Sequence, residues 1–375
     1  MRFSNLGTMK QVSKIGFGFS GFSRDSSQNP LTDLEKISNL RFGIESGINL
    51  IDTAEAYLSG HSESLIGIAT KPIRSDVYIA TKFSPENSGY REVKLSADNS
   101  LRRLMSDYID LYQIHWPNIS VPFEETLRGM QELVQSGKVL NLGVCNFTKN
   151  QLQKAIEIVG AEKIVCNQLE YNLFDRSIEN SILPFCKANG IRIVAYSPLD
   201  RGRLVASKNC LRILGDISQN YSKTIAQVIL NWLTHSDDVL AITESTKKNH
   251  ILENCSSQDF LLTVKEIYSI NKYCKNDIVE VDPSAINVIG NGMKNAKIYR
   301  TLEDAIKNEY DLSPSPCELA EEIRNDEQIK PVRLVQAHTD STYGYDLVEG
   351  PIRYWAWVIA FNGQRNIPAL IRDDI

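Results

Sequence analysis

The chain reads as a (β/α)₈ barrel followed by a smaller α/β domain. Two observations predict the barrel: short β-rich apolar runs alternate with longer amphipathic stretches, and eight such runs fall before residue 245. Eight strand–helix units over about 250 residues fit a closed parallel barrel better than an open doubly wound sheet. A third observation, a change of rhythm after Cys274, predicts the second domain, so residues 1–274 and 275–375 are assigned to separate domains.

The strand-like runs are KIGFGFS (14–20), INLIDT (48–53), VYIATK (77–82), YIDLYQIHW (108–116), VLNLGVCNF (139–147), KIVCNQLEY (163–171), IRIVAYS (191–197) and DVLAIT (238–243). Helical patterns lie between them over Asp33–Ser46, Ser62–Thr70, Pro122–Ser136, Gln151–Val159, Ser177–Asn189 and Ile225–Thr234. Gly47, Gly137 and Gly190 follow helices, where a left-handed cap is easiest without a Cβ. Gly16-Phe17-Gly18 is only a fragment of a G-x-G-x-x-G turn, so no open-sheet dinucleotide fingerprint follows the first strand.

Beyond Cys274, residues 275–283 read as a linker running into a strand. A helix (302–309), a Ser-Pro-Ser-Pro turn (313–316), a helix (317–324), a strand (331–337), the run YDLVEG, an apolar helix (352–361) and a last strand (367–371) follow. About 100 residues suffice for a small independent domain.

Composition narrows the functional classes. With 41 Lys+Arg against 46 Asp+Glu the formal net charge is -5, which gives no general attraction to nucleic acid or anionic membrane. No apolar run reaches the roughly 20 residues that span a bilayer. The first twelve residues are polar and lack a signal peptide's apolar core. The seven cysteines have no C-x-x-C spacing, favouring neither a disulfide framework nor a zinc site, so a reducing cytoplasm is the expected location. His61, His235 and His338 have no second ligand at metal spacing, and no metal is expected.

In a barrel of this kind the active site gathers at the C-terminal ends of the strands. The second to seventh runs bring Asp52, Lys82, His115, Asn146, Gln168 and Tyr196 to that rim, and Tyr57 follows Asp52 closely. Each alone is ordinary: an Asp caps a helix, a Tyr packs, a Lys reaches solvent. Together they have a chemical logic. A tyrosine with a pKa near 10 is a poor acid, and a neighbouring ammonium is expected to lower that value. Asp52 could hold Lys82 in place, and His115 could orient a carbonyl oxygen. The set describes a proton donor aimed at a carbonyl, suited to hydride transfer.

These residues sit in DTAEAYLSGHSESLIG (52–67), ATKF (80–83), the run 107–115, GVCNF (143–147), CNQLEYN (166–172) and AYSPL (195–199), which together resemble the aldo-keto reductases from about residue 8 to 270. The resemblance implies carbonyl reduction by NADPH, with Tyr57 as general acid, Lys82 and Asp52 as its tuning pair and His115 orienting the substrate. It places Asn146 and Gln168 on the nicotinamide carboxamide and Tyr196 on the ring. Ser197 and Leu199, with Arg201 and Gly202 beyond, would meet the pyrophosphate. Ser245 and Lys247 would face the 2′-phosphate, and Glu253 and Asn254 the adenine. Three departures stand out: Cys145 in place of Ser, Thr243-Glu244 in place of Pro-Gly, and a short stretch after Phe83. A carboxylate at 244 keeps NADH open as the alternative cofactor. The carbonyl substrate (aldehyde, ketone or sugar) and the oligomeric state are left open.

From residue 277 onward, ELAEEIRNDEQIKPVRLV (318–335), YDLVEGPIRYWAWVIAFNG (345–363) and IPALIRD (367–373) resemble the ParB/sulfiredoxin superfamily. That resemblance implies nucleotide phosphate contacts at Gly350 and Arg353, where a turn opens a helix. Pro351 replaces an acidic residue of the pattern, and no helix-turn-helix follows, so sequence-specific DNA binding is not expected. The alternative to an enzyme is a redox-sensing NADP(H) protein whose C-terminal domain binds nucleotide or a partner.

Overall fold

A computed structural model describes residues 1–20, 30–118, 120–202, 208–274, 278–288, 299–310, 312, 314–326, 329–337 and 341–372. The chain divides into two compact units, residues 1–173 with 178–274, and residues 174–177 with 275–375. His338 lies outside the described residues.

The first unit opens with a hairpin that the sequence pattern did not show, β1 (Phe3–Leu6) and β2 (Met9–Ser13), paired antiparallel. Asn5, Lys10 and Gln11 are exposed, while Leu6, Met9 and Val12 are buried against Leu50, Ala80, Leu111, Val194 and Leu240 of the barrel interior. The polar-looking N-terminus is therefore an amphipathic plug.

Eight parallel strands then alternate with helices: β3 (Ile15–Gly18), α1 (Pro30–Glu45), β4 (Leu50–Asp52), α2 (His61–Thr70), β5 (Tyr78–Phe83), α3 (Tyr90–Leu104), β6 (Leu111–Ile114), α4 (Phe123–Gln135), β7 (Leu142–Cys145), α5 (Lys149–Val159), β8 (Ile164–Glu170), α6 (Ile182–Ala188), β9 (Arg192–Tyr196), α7 (Lys208–Tyr221), α8 (Ile225–Leu233) and β10 (Val239–Thr243). They close in the order β10-β3-β4-β5-β6-β7-β8-β9. Helices α9 (Lys248–Ser256) and α10 (Val264–Tyr273) complete the unit. Each predicted run contains its strand, except that β5 extends one residue past its run, to Phe83. Capping boxes start α5 (Thr148 with Gln151), α8 (Thr224 with Gln227) and α10 (Thr263 with Glu266).

The Gly16-Phe17-Gly18 fragment has a packing cause. A Cβ at Gly16 would stand 2.6 Å from Ile242 Cδ1, and one at Gly18 would stand 2.8 Å from Ile242 Cγ2, so these glycines let β3 approach β10 across the closing seam.

Two corrections concern cysteine and connectivity. Cys210 and Cys274 form a disulfide, against the expectation of no pairing. Spacing gave no sign because the partners are 64 positions apart and meet only when α7 packs on α10. The supposed linker also contains strand β11 (Ile278–Val281).

The second unit adds β12 (Ile286–Asn287), α11 (Leu302–Lys307), α12 (Pro316–Asp326), β13 (Val332–Gln336), β14 (Tyr345–Glu349), α13 (Pro351–Phe361) and β15 (Ile367–Arg372). Its mixed sheet has the order β11-β15-β13-β14-β12. Leu334, Leu347, Ile367 and Ala369 pack with Tyr354, Trp355 and Trp357 as its core. Arg333 is buried between two carboxylates, Asp175 at 3.1 Å and Glu349 at 2.6 Å. Among the described residues no helix is long and apolar enough to cross a membrane.

One substitution tests the barrel's helix packing. A Cβ on Gly67 of α2 would lie 2.7 Å from the Arg103 carbonyl oxygen and 2.8 Å from Leu104 backbone at the end of α3. Backbone cannot swing aside as a flexible side chain can. Gly67→Ala is expected to cost about 1–3 kcal/mol, read as a lower urea midpoint with unchanged slope.

Candidate active site

Strand ends carry the site. Asp52 closes β4, Lys82 is the penultimate residue of β5, His115 follows β6, Asn146 follows β7, Gln168 lies in β8 and Tyr196 closes β9. Lys82 is completely buried, and its ammonium lies 2.7 Å from Asp52 Oδ2 while donating to the Thr53 carbonyl at 2.8 Å. The other carboxylate oxygen of Asp52 accepts from Gln168 Nε2 at 2.7 Å. A buried ion pair survives only when its remaining hydrogen-bonding capacity is satisfied, and these two extra bonds supply much of that. Asp52 holds Lys82 well above the ordinary lysine range, although burial opposes it. The ammonium is permanent.

Tyr57 enters this field from the loop after β4. Leu58 and Ser59 next to it adopt left-handed backbone (φ +49° and +54°), which costs a non-glycine residue about 1–2 kcal/mol. The tyrosine ring is centred 5.5 Å from Lys82 Nζ, and it meets the His115 ring edge-on with centroids 5.6 Å apart. Burial raises the Tyr57 pKa above its ordinary value, outweighing the downward pull of Lys82; Asp52, Cys145 and Glu244 add to the rise. This corrects the expectation that the ammonium would set the direction. The phenol keeps its proton at neutral pH.

His115 moves the opposite way. Burial first, and then the Lys82 charge, push its pKa down to about 3, so it is a neutral imidazole across the physiological range.

The expected cofactor residues on β7–β9 also converge. Asn146 has left-handed backbone (φ +61°), donates to the His115 carbonyl at 3.1 Å and accepts from the Tyr196 hydroxyl at 2.9 Å. Asn172, which the sequence reading left without a role, donates to the Ser197 carbonyl at 3.2 Å. Ser197, Asp200 and Gly202 all have positive φ, turning the backbone sharply around Leu199. The side chain of Arg201 lies outside the described residues. Ser245 Oγ accepts from the Lys247 amide at 3.1 Å, and exposed Lys247 caps α9, the helix that carries Glu253 and Asn254. Cys145 is buried with its sulfur 3.6 Å from Gln113 Oε1, and burial raises its thiol pKa strongly. Glu244 accepts from the Ser20 hydroxyl at 2.5 Å, a contact between the ends of β10 and β3 that spacing could not reveal.

In the second unit, Gly350 caps α13 with φ +97°. Arg353 donates to the carbonyls of Lys330 (2.9 Å) and Pro331 (2.8 Å) and lies 3.5 Å from Glu349. A Cβ on Gly350 would sit 2.9 Å from the Arg353 guanidinium. The Gly-x-x-Arg spacing thus lets the arginine fold back over its own helix start.

A closed eight-stranded parallel barrel with a buried lysine–aspartate pair, a protonated tyrosine and a neutral histidine at its C-terminal rim defines a class of oxidoreductase site. The chain belongs to the aldo/keto reductase family, whose model matches residues 14–275. It is 33% identical to methylglyoxal reductase YeaE of Escherichia coli (strain K12) over 259 residues, 69% of this chain and 89% of that one. It is 32% identical to a glyoxal reductase of Bacillus subtilis (strain 168), over 67% of this chain and 88% of the relative. A thermostable aldo-keto reductase crystallised with epalrestat superposes with a TM-score of 0.69 at 38% identity, over 73% of this chain and 100% of that one. An aldo/keto reductase from Klebsiella pneumoniae, solved with NADP and acetate, gives 0.67 at 29% identity, over 73% and 96%. The protein is an oxidoreductase of this family.

The pH behaviour of His115 follows from its depressed pKa. An unfolded histidine takes up a proton near pH 6.5, whereas the folded site resists until about pH 3. The unfolded state therefore binds more protons in that window, and stability falls as pH drops through it. Wild type is expected to lose stability between pH 6.5 and 4 more steeply than His115→Asn, by up to about one proton in the slope. Chemical denaturation across that range checks this.

Proposed function

We propose that the protein reduces an aldehyde, ketone or sugar carbonyl with NADPH, Tyr57 giving the proton. The observation that carries this reading is the convergence of Tyr57 on His115 and on the buried Lys82–Asp52 pair. Bound NADPH supplies the hydride. The chain's part is to hold a proton at the Tyr57 oxygen until the carbonyl oxygen gains negative charge. Burial keeps that proton in place beforehand, and the Lys82 ammonium stabilises the phenolate left behind. His115, neutral at working pH, can donate one hydrogen bond to the same carbonyl oxygen and orient it.

The cofactor suits the residues present. Gln168 uses its amide N–H on Asp52, and its carbonyl is the acceptor we assign to the nicotinamide carboxamide, beside Asn146. Tyr196, oriented through Asn146, would stack on the ring. The turned backbone of Ser197, Leu199 and Gly202, with Arg201, would receive the pyrophosphate. Ser245 and Lys247 at the start of α9 would take the 2′-phosphate, and Glu253 and Asn254 the adenine. Two relatives are named for methylglyoxal and glyoxal, so small dicarbonyl aldehydes are the first substrates to test.

For the second unit we retain the ParB/sulfiredoxin-like resemblance and read the Gly350–Arg353 turn as structural rather than as a nucleotide site. The engagement of Arg353 with Lys330, Pro331 and Glu349 supports that reading. The assembled tetrad favours an enzyme over a redox sensor. A cytoplasmic location remains the working assumption, since five of the seven cysteines are unpaired.

Tyr57→Phe tests the proton donor. It is expected to leave NADPH binding, followed by tryptophan fluorescence, within about twofold of wild type. Carbonyl-dependent NADPH oxidation should fall by about 10²–10⁴-fold, the usual range for losing a general acid. Unchanged turnover would remove Tyr57 from the reaction.

A further inference from the structure

The disulfide lies outside the reacting centre, and no step of carbonyl reduction uses it. Cys210 sits in the first turn of α7 and Cys274 caps the end of α10, with Cα atoms 4.9 Å apart. At the opposite end of the same helix pair, the hydroxyl of Tyr221 lies 2.9 Å from Glu266 Oε2 and 3.0 Å from the Leu261 carbonyl. Helices α7 and α10 are therefore antiparallel and fastened at both ends, covalently at one of them. In the chain, α7 follows the Ser197–Gly202 turn, the segment assigned above to the cofactor pyrophosphate. The covalent fastening thus holds the downstream anchor of a cofactor-binding segment.

We propose that Cys210 and Cys274 are a reversible thiol–disulfide pair whose oxidised form fixes the first turn of α7 and strengthens retention of NADPH. The inference rests on the reductase reading for its cofactor half. Oxidation joins the two sulfurs as two protons and two electrons leave the thiols. A low-molecular-weight disulfide of the glutathione class accepts them, its S–S bond breaking to give two thiols. Cys210 and Cys274 are only 1% and 3% exposed, so exchange in either direction requires the start of α7 to open. Linkage then runs both ways: a disulfide that tightens NADPH binding must itself be protected by bound NADPH. The remaining cysteines do not compete for this role. Cys145, Cys166, Cys186 and Cys255 are buried without disulfide partners, and Cys317 is partly exposed and unpaired.

The test uses the full chain, equilibrated with oxidised glutathione or with dithiothreitol, alkylated with iodoacetamide and mapped by mass spectrometry. NADPH dissociation constants and melting temperatures are measured on both forms. A linked Cys210–Cys274 peptide pair is expected in the oxidised form only. Reduction should raise the NADPH Kd at least threefold and lower the Tm, and bound NADPH should slow the reduction. Cys210→Ser and Cys274→Ser should each reproduce the reduced values and abolish the response to dithiothreitol; the wild-type comparison stands even if a variant fails to fold. Full alkylation of both cysteines in the oxidised sample, or an identical Kd in the two states, would overturn the proposal. Should NADPH bind neither form while the linked pair and Tm shift persist, the reductase reading and the cofactor half fall together, and the covalent hold on α7 stands.

Discussion

A fully buried ammonium is the constraint around which the barrel's rim is arranged. Lys82 is closed off from solvent, so the Asp52 carboxylate must lie within contact distance and the Thr53 carbonyl must face it. Asp52 in turn recruits Gln168 from β8. Burial first, and then the same charge, keep His115 from protonating, and the charge opposes the effect of burial on Tyr57. A tyrosine alone in this cavity would be a still weaker acid. The pair therefore fixes geometry and protonation state together, on strands that closure of the barrel holds rigid.

Much of this was legible in the sequence because it depends on local pattern. Each barrel strand is a short apolar run, and Asp52, Lys82, His115, Asn146, Gln168 and Tyr196 stand at, near or just beyond strand ends, so the pattern of runs places them on the barrel's C-terminal side. What stayed hidden depends on contacts between distant segments. The Cys210–Cys274 disulfide needs α7 laid on α10, and the Ser20–Glu244 contact needs β3 beside β10 at the seam. The hairpin at Phe3–Ser13 was missed because its polar face dominates a short segment whose buried face has only a few apolar residues. The direction of the Tyr57 shift was misread for a related reason: spacing shows which charge is near but not how deeply a group is buried.

In the second unit, Gly350 of the Gly-x-x-Arg turn forms a left-handed cap beneath the Arg353 guanidinium. Arg333, which no motif marked, is a buried cation of that unit, paired with Asp175 and Glu349. A charge buried to that degree is a stronger structural commitment than the partly exposed Arg353.

The dependence of the site on its buried pair is tested most directly by a double-mutant cycle of Asp52→Asn and Lys82→Met, read as unfolding free energy. Each single change strands a buried charge and should cost about 3–5 kcal/mol. The double variant should cost well below the sum of the two, with a coupling of about 2 kcal/mol or more. Additive losses would mean that the two groups are stabilised independently, and the rim's organisation could not then be traced to their pairing.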